Sequence, residues 1–343
     1  MKSKRILVVG CGLAGSVIAR QLAEAGFKID ILDKRDHIAG NCYDYEDQHG
    51  IRIHKYGPHI FHTSNQRVVC WLSNFTDWID YDHKVKAVLQ DGSLVPFPPN
   101  QETLEWVEKD KLLDVFYRPY SEKMWGERLE AIDPSILSRV PVREDREDSY
   151  FPSDTFQKLP KLGYSHLVAN ILDHKRINVQ LNHAFSKSLE DEYFHVFNSM
   201  PIDEYYDFKY GELPYRSVKF HMMYHQQRAL YPVSVVNFTD AGLYTRATEW
   251  KNFPGHGQID DVTAITLEEP CDYKENNFER FYPVKDSAGT NRARYRLYAN
   301  LPRRNMTFIG RCGMYVYIDM DQAVSSSLAT SKDFLDRYLG GVR

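Results

Sequence analysis

R-I-L-V-V-G-C-G-L-A-G, Arg5 to Gly15, is the stretch on which the fold turns. Arg5 to Gly10 is a short apolar, β-branched run suited to a buried parallel strand, and Gly10, Gly12 and Gly15 follow at G-x-G-x-x-G spacing. Gly10 makes the tight turn, Gly12 lets backbone N–H groups approach a pyrophosphate, and Gly15 lets the next helix lie close on the strand. Ser16 to Ala25 carries apolar residues at helical spacing, Gly26 stops it, and Phe27 to Leu32 reads as a second strand. That strand ends in Asp33, about twenty residues past the glycines, where a carboxylate accepts hydrogen bonds from a ribose. Flanking strand, helix and acid turn a weak glycine pattern into a complete βαβ dinucleotide fingerprint. Leu13 and Ala14 inside the motif and Lys34 after Asp33 belong to the same expected contact set.

Arg35 and then Gly40-Asn41 follow, and this R-x-x-x-x-G pattern looks more like the FAD-binding branch of the fold than the nicotinamide branch. With 343 residues the chain exceeds what one core usually supports, so more than one domain is expected. A net charge of −4 gives no electrostatic reason to propose nucleic acid or an anionic membrane as partner. No apolar run is long enough to span a bilayer. The 5 cysteines form no C-x-x-C pair, so neither a zinc site nor a disulfide framework is indicated, and a reducing cytoplasm fits best. Tyrosine, at 23 residues, can stack and hydrogen-bond at once, which suits a sugar or nucleotide cleft.

Further along, Ile51 to Thr63 reads as a strand and a Gly57-Pro58 turn carrying His59 and His62. No further ligands stand nearby for a metal, so His59 is expected to point into a cofactor cleft. Lys84 to Pro96 reads as a hairpin turning at Asp91-Gly92. One helix is expected over Gln101 to Tyr120, with Leu104, Val107, Leu112, Val115 and Phe116 on its apolar face. Trp125, before Gly126, is placed on a mobile loop, a core tryptophan being the alternative. Arg139 and Arg143 flank Val140-Pro141-Val142, so an extended segment projects both to one side, as a diphosphate clamp requires. The acidic residues Glu144 to Asp148 can equally neutralise them. Runs between Pro214 and Pro283 read as a largely antiparallel sheet that offers Arg216, Asn237, Arg246 and Tyr282 to a cleft. Met306 to Gly310 reads as a last strand, followed by Arg311 and a helix from Gln322 to Tyr338, a unit whose helix N-terminus closes a flavin site.

With these segments in hand, the chain resembles the bacterial UDP-galactopyranose mutase family over nearly its whole length. The strings that carry the resemblance are H-K-Y-G-P-H-I-F-H-T at His54 to Thr63, Y-S-E-K-M-W-G at Tyr120 to Gly126 and R-V-P-V-R at Arg139 to Arg143. P-I-D-E-Y-Y-D-F-K-Y-G at Pro201 to Gly211, N-F-T-D at Asn237 to Asp240, F-Y-P-V at Phe281 to Val284 and G-R-C-G-M-Y-V-Y-I-D-M at Gly310 to Met320 follow in order. The resemblance implies contraction of a nucleotide-linked pyranose to its furanose without net redox change, most simply UDP-galactopyranose to UDP-galactofuranose, in cell-surface polysaccharide biosynthesis. FAD would act in its reduced form, N5 attacking the anomeric carbon, with NAD(P)H or another reductant needed only to reduce it. By matching strings, Arg139 and Arg246 clamp the diphosphate and, with His59 and His62 of the flavin-facing loop, form the catalytic set. Tyr150, Tyr282 and Tyr317 supply hydroxyls, Tyr120 and Trp125 contact the base, Arg216 and Arg311 are cleft and flavin contacts, and Asp319-Met320 close the sugar and flavin site.

The implied architecture is α/β: a Rossmann-like FAD-binding domain, discontinuous over 1–75, 160–205 and 303–343, a shortened helical domain with a mobile loop over 98–140, and a largely antiparallel β-sheet substrate domain over 76–97 and 206–302. Three departures bear on specificity and assembly: the short helical section, His83 where some members carry asparagine, and Asp321 where others carry histidine. They leave open a mutase for a dTDP- or GDP-linked hexose, and a homodimer. An FAD oxidoreductase of the amine-oxidase type is the different-class alternative. It would share the fingerprint but need neither the arginines nor the tyrosines.

Overall fold

The computed structural model describes residues 5–137, 140–257 and 259–340. The fingerprint folds as its spacing predicts: strand Arg5–Val9, helix Leu13–Glu24, strand Lys28–Leu32. The two strands pair in parallel, Ile6 opposite Ile29 and Val9 opposite Leu32. A parallel pair needs a covering crossover, and the helix supplies it by burying Val17, Ile18 and Leu22. Three more parallel strands complete the sheet in the order 177–180, 28–32, 5–9, 195–198, 306–308. Ile6, Val8, Ile29, Ile31 and Phe197 form its buried centre, and Phe334 and Leu335 of the C-terminal helix Met320–Gly340 pack on it. The α/β class and the Rossmann-like sheet are therefore those expected.

A second sheet of seven strands stands beside it, in the order 282–283, 215–225, 263–272, 246–249, 235–238, 85–88, 94–97. Its ladders are antiparallel except between Val235–Phe238 and Val85–Val88, which run parallel. Strand Arg246–Glu249 has no counterpart in the sequence reading, yet it sits at the middle of this sheet. Its register places Asn237, Arg246, Glu268 and Phe220 directly opposite one another on four neighbouring strands. Residues directly opposite share a face, so this is one row of side chains. A smaller antiparallel sheet of Phe61–Thr63, Phe156–Pro160 and Trp78–Asp80, with the pair Asp44–Glu46 and Arg52–His54, bridges the two.

The single helix expected over Gln101 to Tyr120 is broken. Asn100 caps a short turn Gln101–Leu104 through a reciprocal capping box with Thr103, a π-helical turn spans Leu113–Tyr117, and a new helix runs Arg118–Trp125. Pro119 explains the break: it has no N–H to give the preceding turn and its ring displaces the carbonyl four residues back. Leu112 and Phe116 are nevertheless buried, as their periodicity predicts. Among the described residues, no helix is long and apolar enough to cross a membrane.

Candidate active site

The Gly10–Gly15 turn opens a cavity of about 340 Å³ beneath the C-terminal ends of the parallel strands. Gly10, Gly12, Leu13, Ala14, Gly15, Asp33, Lys34, Arg35, Gly40, Asn41, His59, Gly310, Arg311, Asp319 and Met320 all line it. Backbone geometry holds the turn. A Cβ on Gly40, whose φ is +56, would lie 2.8 Å from the Cα of Gly12, so the two segments meet main chain to main chain. The Asp33 carboxylate accepts the N–H of Cys11 at 2.7 Å and of Arg35 at 2.9 Å, fixing the loop that a ribose would meet. Arg35 donates to Asn41 Oδ1 at 2.9 Å, pairs with Glu279 and lies 4.5 Å from the Tyr56 ring centroid. Gly12 precedes the helix beginning at Leu13, whose N-terminal amides and dipole favour a phosphate at this end. Burial raises the Cys42 thiol to about 12 and the Cys312 thiol to about 11, so both sulfurs lining the cavity stay protonated and inert.

His59 joins this cavity to the face of the second sheet. Its Nδ1 is 2.8 Å from the carbonyl of Gly57, which fixes the proton there and leaves Nε2 as an acceptor. Burial, with smaller contributions from Arg311 and Arg246, lowers its pKa to about 4, so the ring is neutral at pH 7. Arg246 lies in the row on the sheet face, its Nε donating to Glu268 Oε2 at 2.8 Å. Its two terminal amino groups have no hydrogen-bond partner among the described residues. Burial opposes its charge, but Glu268 and the phenolic oxygens of Tyr120, Tyr282 and Tyr150 outweigh this and hold the guanidinium firmly protonated. Burial in turn lifts Glu268 above the usual carboxylate range despite its cation, and its Oε1 is sealed without a partner. Tyr120 is pushed up to about 12, and Tyr282 also rises, by burial; both keep their protons as hydrogen-bond donors.

Tyr282, Tyr317 and Trp125 pack edge to face, with centroids 5.5 to 6.4 Å apart. The Arg311 guanidinium lies 5.4 and 5.3 Å from the two tyrosine rings and donates to the carbonyls of Phe281 and Ile318. It thus anchors the tyrosines as well as lining the cavity. His83 is buried beside Tyr150 and Arg246. His62 stacks on Phe151 at 3.5 Å, bonds Asp154 at 2.6 Å, and lies near His83 rather than on the lining of the cofactor cavity.

Three placements correct the sequence reading. Trp125 is not on a loop: it ends the Arg118–Trp125 helix and is 6 % exposed, Gly126 at φ +68 being the helix cap rather than a hinge. Arg216 does not offer its fork to a cleft; it donates to the carbonyls of Met124 and Lys123 and so closes the end of that helix. Arg143 is likewise engaged by the carbonyls of Glu147, Ser149 and Tyr150, so it is no half of a diphosphate clamp. Arg139 lies outside the described residues. Glu268 was missed altogether, and cross-strand register with Arg246 was the only signal that could have found it.

The profile of UDP-galactopyranose mutase matches residues 115–317, and that of an NAD(P)-binding Rossmann-like domain matches residues 8–74. A probable UDP-galactopyranose mutase of Klebsiella pneumoniae is 34% identical over 98% of this chain and 96% of its own length. The chain belongs to the UDP-galactopyranose mutase family. A dTDP-fucopyranose mutase of Escherichia coli is 31% identical over 96% of this chain and 98% of its own length. The fold matches a crystal structure of reduced UDP-galactopyranose mutase with a TM-score of 0.73 at 15% identity, over 98% of this chain and 95% of the other.

As a member of the UDP-galactopyranose mutase family the chain is an isomerase with FAD as cofactor, and the oxidoreductase alternative is not favoured. The residues fit that cofactor. The Gly12–Gly40 contact leaves a cradle with no Cβ, the helix amides face it, and His59, Arg311 and Met320 line the same cavity further along. The family's substrate class is a nucleotide sugar.

Proposed function

We propose that this chain interconverts UDP-galactopyranose and UDP-galactofuranose. The observation that carries the reading is the Arg246–Glu268 pair, its carboxylate buried and its guanidinium half-buried, ringed by tyrosines and linked to the cofactor cavity through His59. Reduced FAD, held by the glycine turn, would supply the nucleophilic character that the anomeric carbon needs. The protein's task is to hold what leaves. The two unengaged amino groups of Arg246 form a fork for phosphate oxygens, and Glu268 at Nε fixes its direction. Tyr120 and Tyr282, protonated at any physiological pH, donate to the same diphosphate without adding charge.

His59, neutral and presenting Nε2, accepts a proton or a hydrogen bond at the junction of cofactor and sugar, and Asp319 adds a carboxylate on the cavity wall. Trp125 and Tyr120, held by the Arg216-capped helix, cover the nucleotide. We assign Arg139 to the diphosphate on the strength of its R-V-P-V-R string alone. A cytoplasmic homodimer, with the parallel sheet holding FAD and the seven-stranded sheet holding substrate, completes the proposal.

The test is turnover of UDP-galactopyranose by dithionite-reduced protein, with dTDP- and GDP-linked hexoses in parallel. Isomer formed only by reduced protein, without an oxidised sugar, supports the reading. Preference for another nucleotide sugar replaces the substrate. Absence of any isomer overturns the reading.

A further inference from the structure

His83 stands beside Arg246 and Tyr150, and the Tyr81–Ser234 bond decides which of its ring nitrogens holds the proton. The Tyr81 hydroxyl donates to Ser234 Oγ at 2.9 Å, so its oxygen is left to accept from His83 Nδ1, 3.0 Å away. With Tyr81 donating to Ser234, the proton of His83 is on Nδ1, and Nε2, on the far side of the ring from Tyr81, carries a lone pair. Phe151 and Phe253 flank the ring, with centroids at 6.0 and 6.4 Å, and the Tyr150 N–H donates to the His83 carbonyl at 2.6 Å, which fixes the main chain that carries it. The residue is 4 % exposed, yet Nε2 has no partner among the described residues and is not sealed off, and Arg246 and His62 are its nearest charged or titratable neighbours. The charged and titratable groups that face it are Arg246, His62, Tyr150 and Tyr81.

We infer that His83 Nε2 is a selectivity contact that accepts a hydrogen bond from one substrate hydroxyl next to the diphosphate, so that the substrate must carry that hydroxyl. The inference rests on the mutase reading of the site. Arg246 marks where phosphate oxygens go, and those oxygens donate nothing; beside them a nucleotide sugar offers only the hydroxyls of its hexose and of its ribose. A neutral acceptor close to the cation suits a hydroxyl, whereas an imidazolium would compete with Arg246 for phosphate. Burial, with Arg246 and His62 adding, lowers the His83 pKa to about 3 and keeps the ring in the accepting form.

The experiment measures dissociation constants of FAD-loaded protein for UDP-galactose, for analogues lacking one hexose hydroxyl in turn, and for the 2′-deoxyribose nucleotide sugar. Wild type, His83→Phe and His83→Gln are compared. His83→Phe keeps a ring but no acceptor, and the amide oxygen of His83→Gln reaches the position of Nε2. One analogue should bind wild type roughly tenfold more weakly than the parent, with that penalty vanishing in His83→Phe and returning in His83→Gln. If the analogue lacks a hexose hydroxyl the partner is the sugar; if it is the deoxyribose form the partner is the ribose. Equal penalties in wild type and His83→Phe for every analogue overturn the inference. Nitrogen-15 spectra of histidine-labelled protein give a second readout that survives any loss of stability in the variants. Nδ1–H at neutral pH is expected, and Nε2–H overturns the inference. Neither measurement needs turnover, so normal binding without isomerisation defeats the mutase reading, and normal isomerisation without selectivity at His83 defeats this one.

Discussion

Replacing Arg246 by alanine removes the cation from a carboxylate that is 3 % exposed. Glu268 then has two ways to remain folded: keep its charge unpaired, which costs about 3–5 kcal/mol when a buried pair is broken from one side, or take up a proton. The second route sets a ceiling. Neutralising a carboxyl whose ordinary pKa is 4.5 costs about 1.36 kcal/mol per pH unit above that value, hence about 3.4 kcal/mol at pH 7 and about 1.4 at pH 5.5. The sign follows from proton counting. In the variant, folded Glu268 holds a proton that the unfolded chain has lost, so stability falls as pH rises above 4.5.

Urea unfolding of FAD-loaded Arg246→Ala between pH 5 and 8, referenced to wild type, should therefore show a penalty that grows toward alkaline pH. Adding Glu268→Gln should remove most of the growth. Turnover should be abolished in the single variant while flavin stays bound, because Arg246 lies on the sheet face and not on the glycine turn. A penalty independent of pH, or one that Glu268→Gln leaves unchanged, would refute the idea that this pair is one electrostatic unit, and loss of FAD would contradict the role assigned to Arg246.

Three further outcomes are expected. Gly40→Ala drives a Cβ to 2.8 Å from the Gly12 main chain and should lower flavin content, whereas Gly92→Ala, at φ +87 with nothing within 4 Å, should cost only about 1–2 kcal/mol of backbone strain and keep its flavin; absorbance at the flavin band checks both. Arg216→Ala removes the fork from the carbonyls of Met124 and Lys123 and should cost about 1–3 kcal/mol, raise KM for the nucleotide sugar and speed hydrogen exchange over 118–126. Folded His59 and His83 hold pKa values of about 4 and about 3, so they resist the protons that unfolded histidines accept below pH 6.5. Stability should fall by about 2 kcal/mol per residue between pH 7 and pH 5, and His83→Gln should remove its share in urea titrations at the two pH values.

The first sheet was legible because its determinants are local. A β-branched run, glycines at fixed offsets and an acid at the end of the next strand each act within about thirty residues, and the chain has few other ways to satisfy them. Arginines were harder. Arg143, Arg216 and Arg246 read alike in sequence, but the first two reach main-chain carbonyls and only the third meets a carboxylate across a ladder. Which partner a guanidinium finds depends on register between strands 22 residues apart, and on a strand, Arg246–Glu249, that β-propensity does not announce. Gly126 misled in the same way. A glycine at positive φ both ends helices and articulates loops, and only the fork of Arg216, against which a Cβ on Gly126 would fall at 2.8 Å, decides for the helix cap.

The row Asn237–Arg246–Glu268–Phe220 explains why a mutase can use so costly a pair. A diphosphate that leaves and must return needs a cation strong enough to retain it but not so strong that the separated state becomes a trap. Glu268 offsets part of the Arg246 charge before substrate arrives, and it occupies Nε so that only the two amino groups can grip. In the proposed mechanism the uncharged phenols of Tyr120 and Tyr282 would add hydrogen bonds that strengthen as negative charge develops on the leaving oxygen, without raising attraction for the intact substrate equally. On that proposal the grip is biased toward the moment of bond cleavage, and the sheet register that sets Glu268 opposite Arg246 is what would fix the bias.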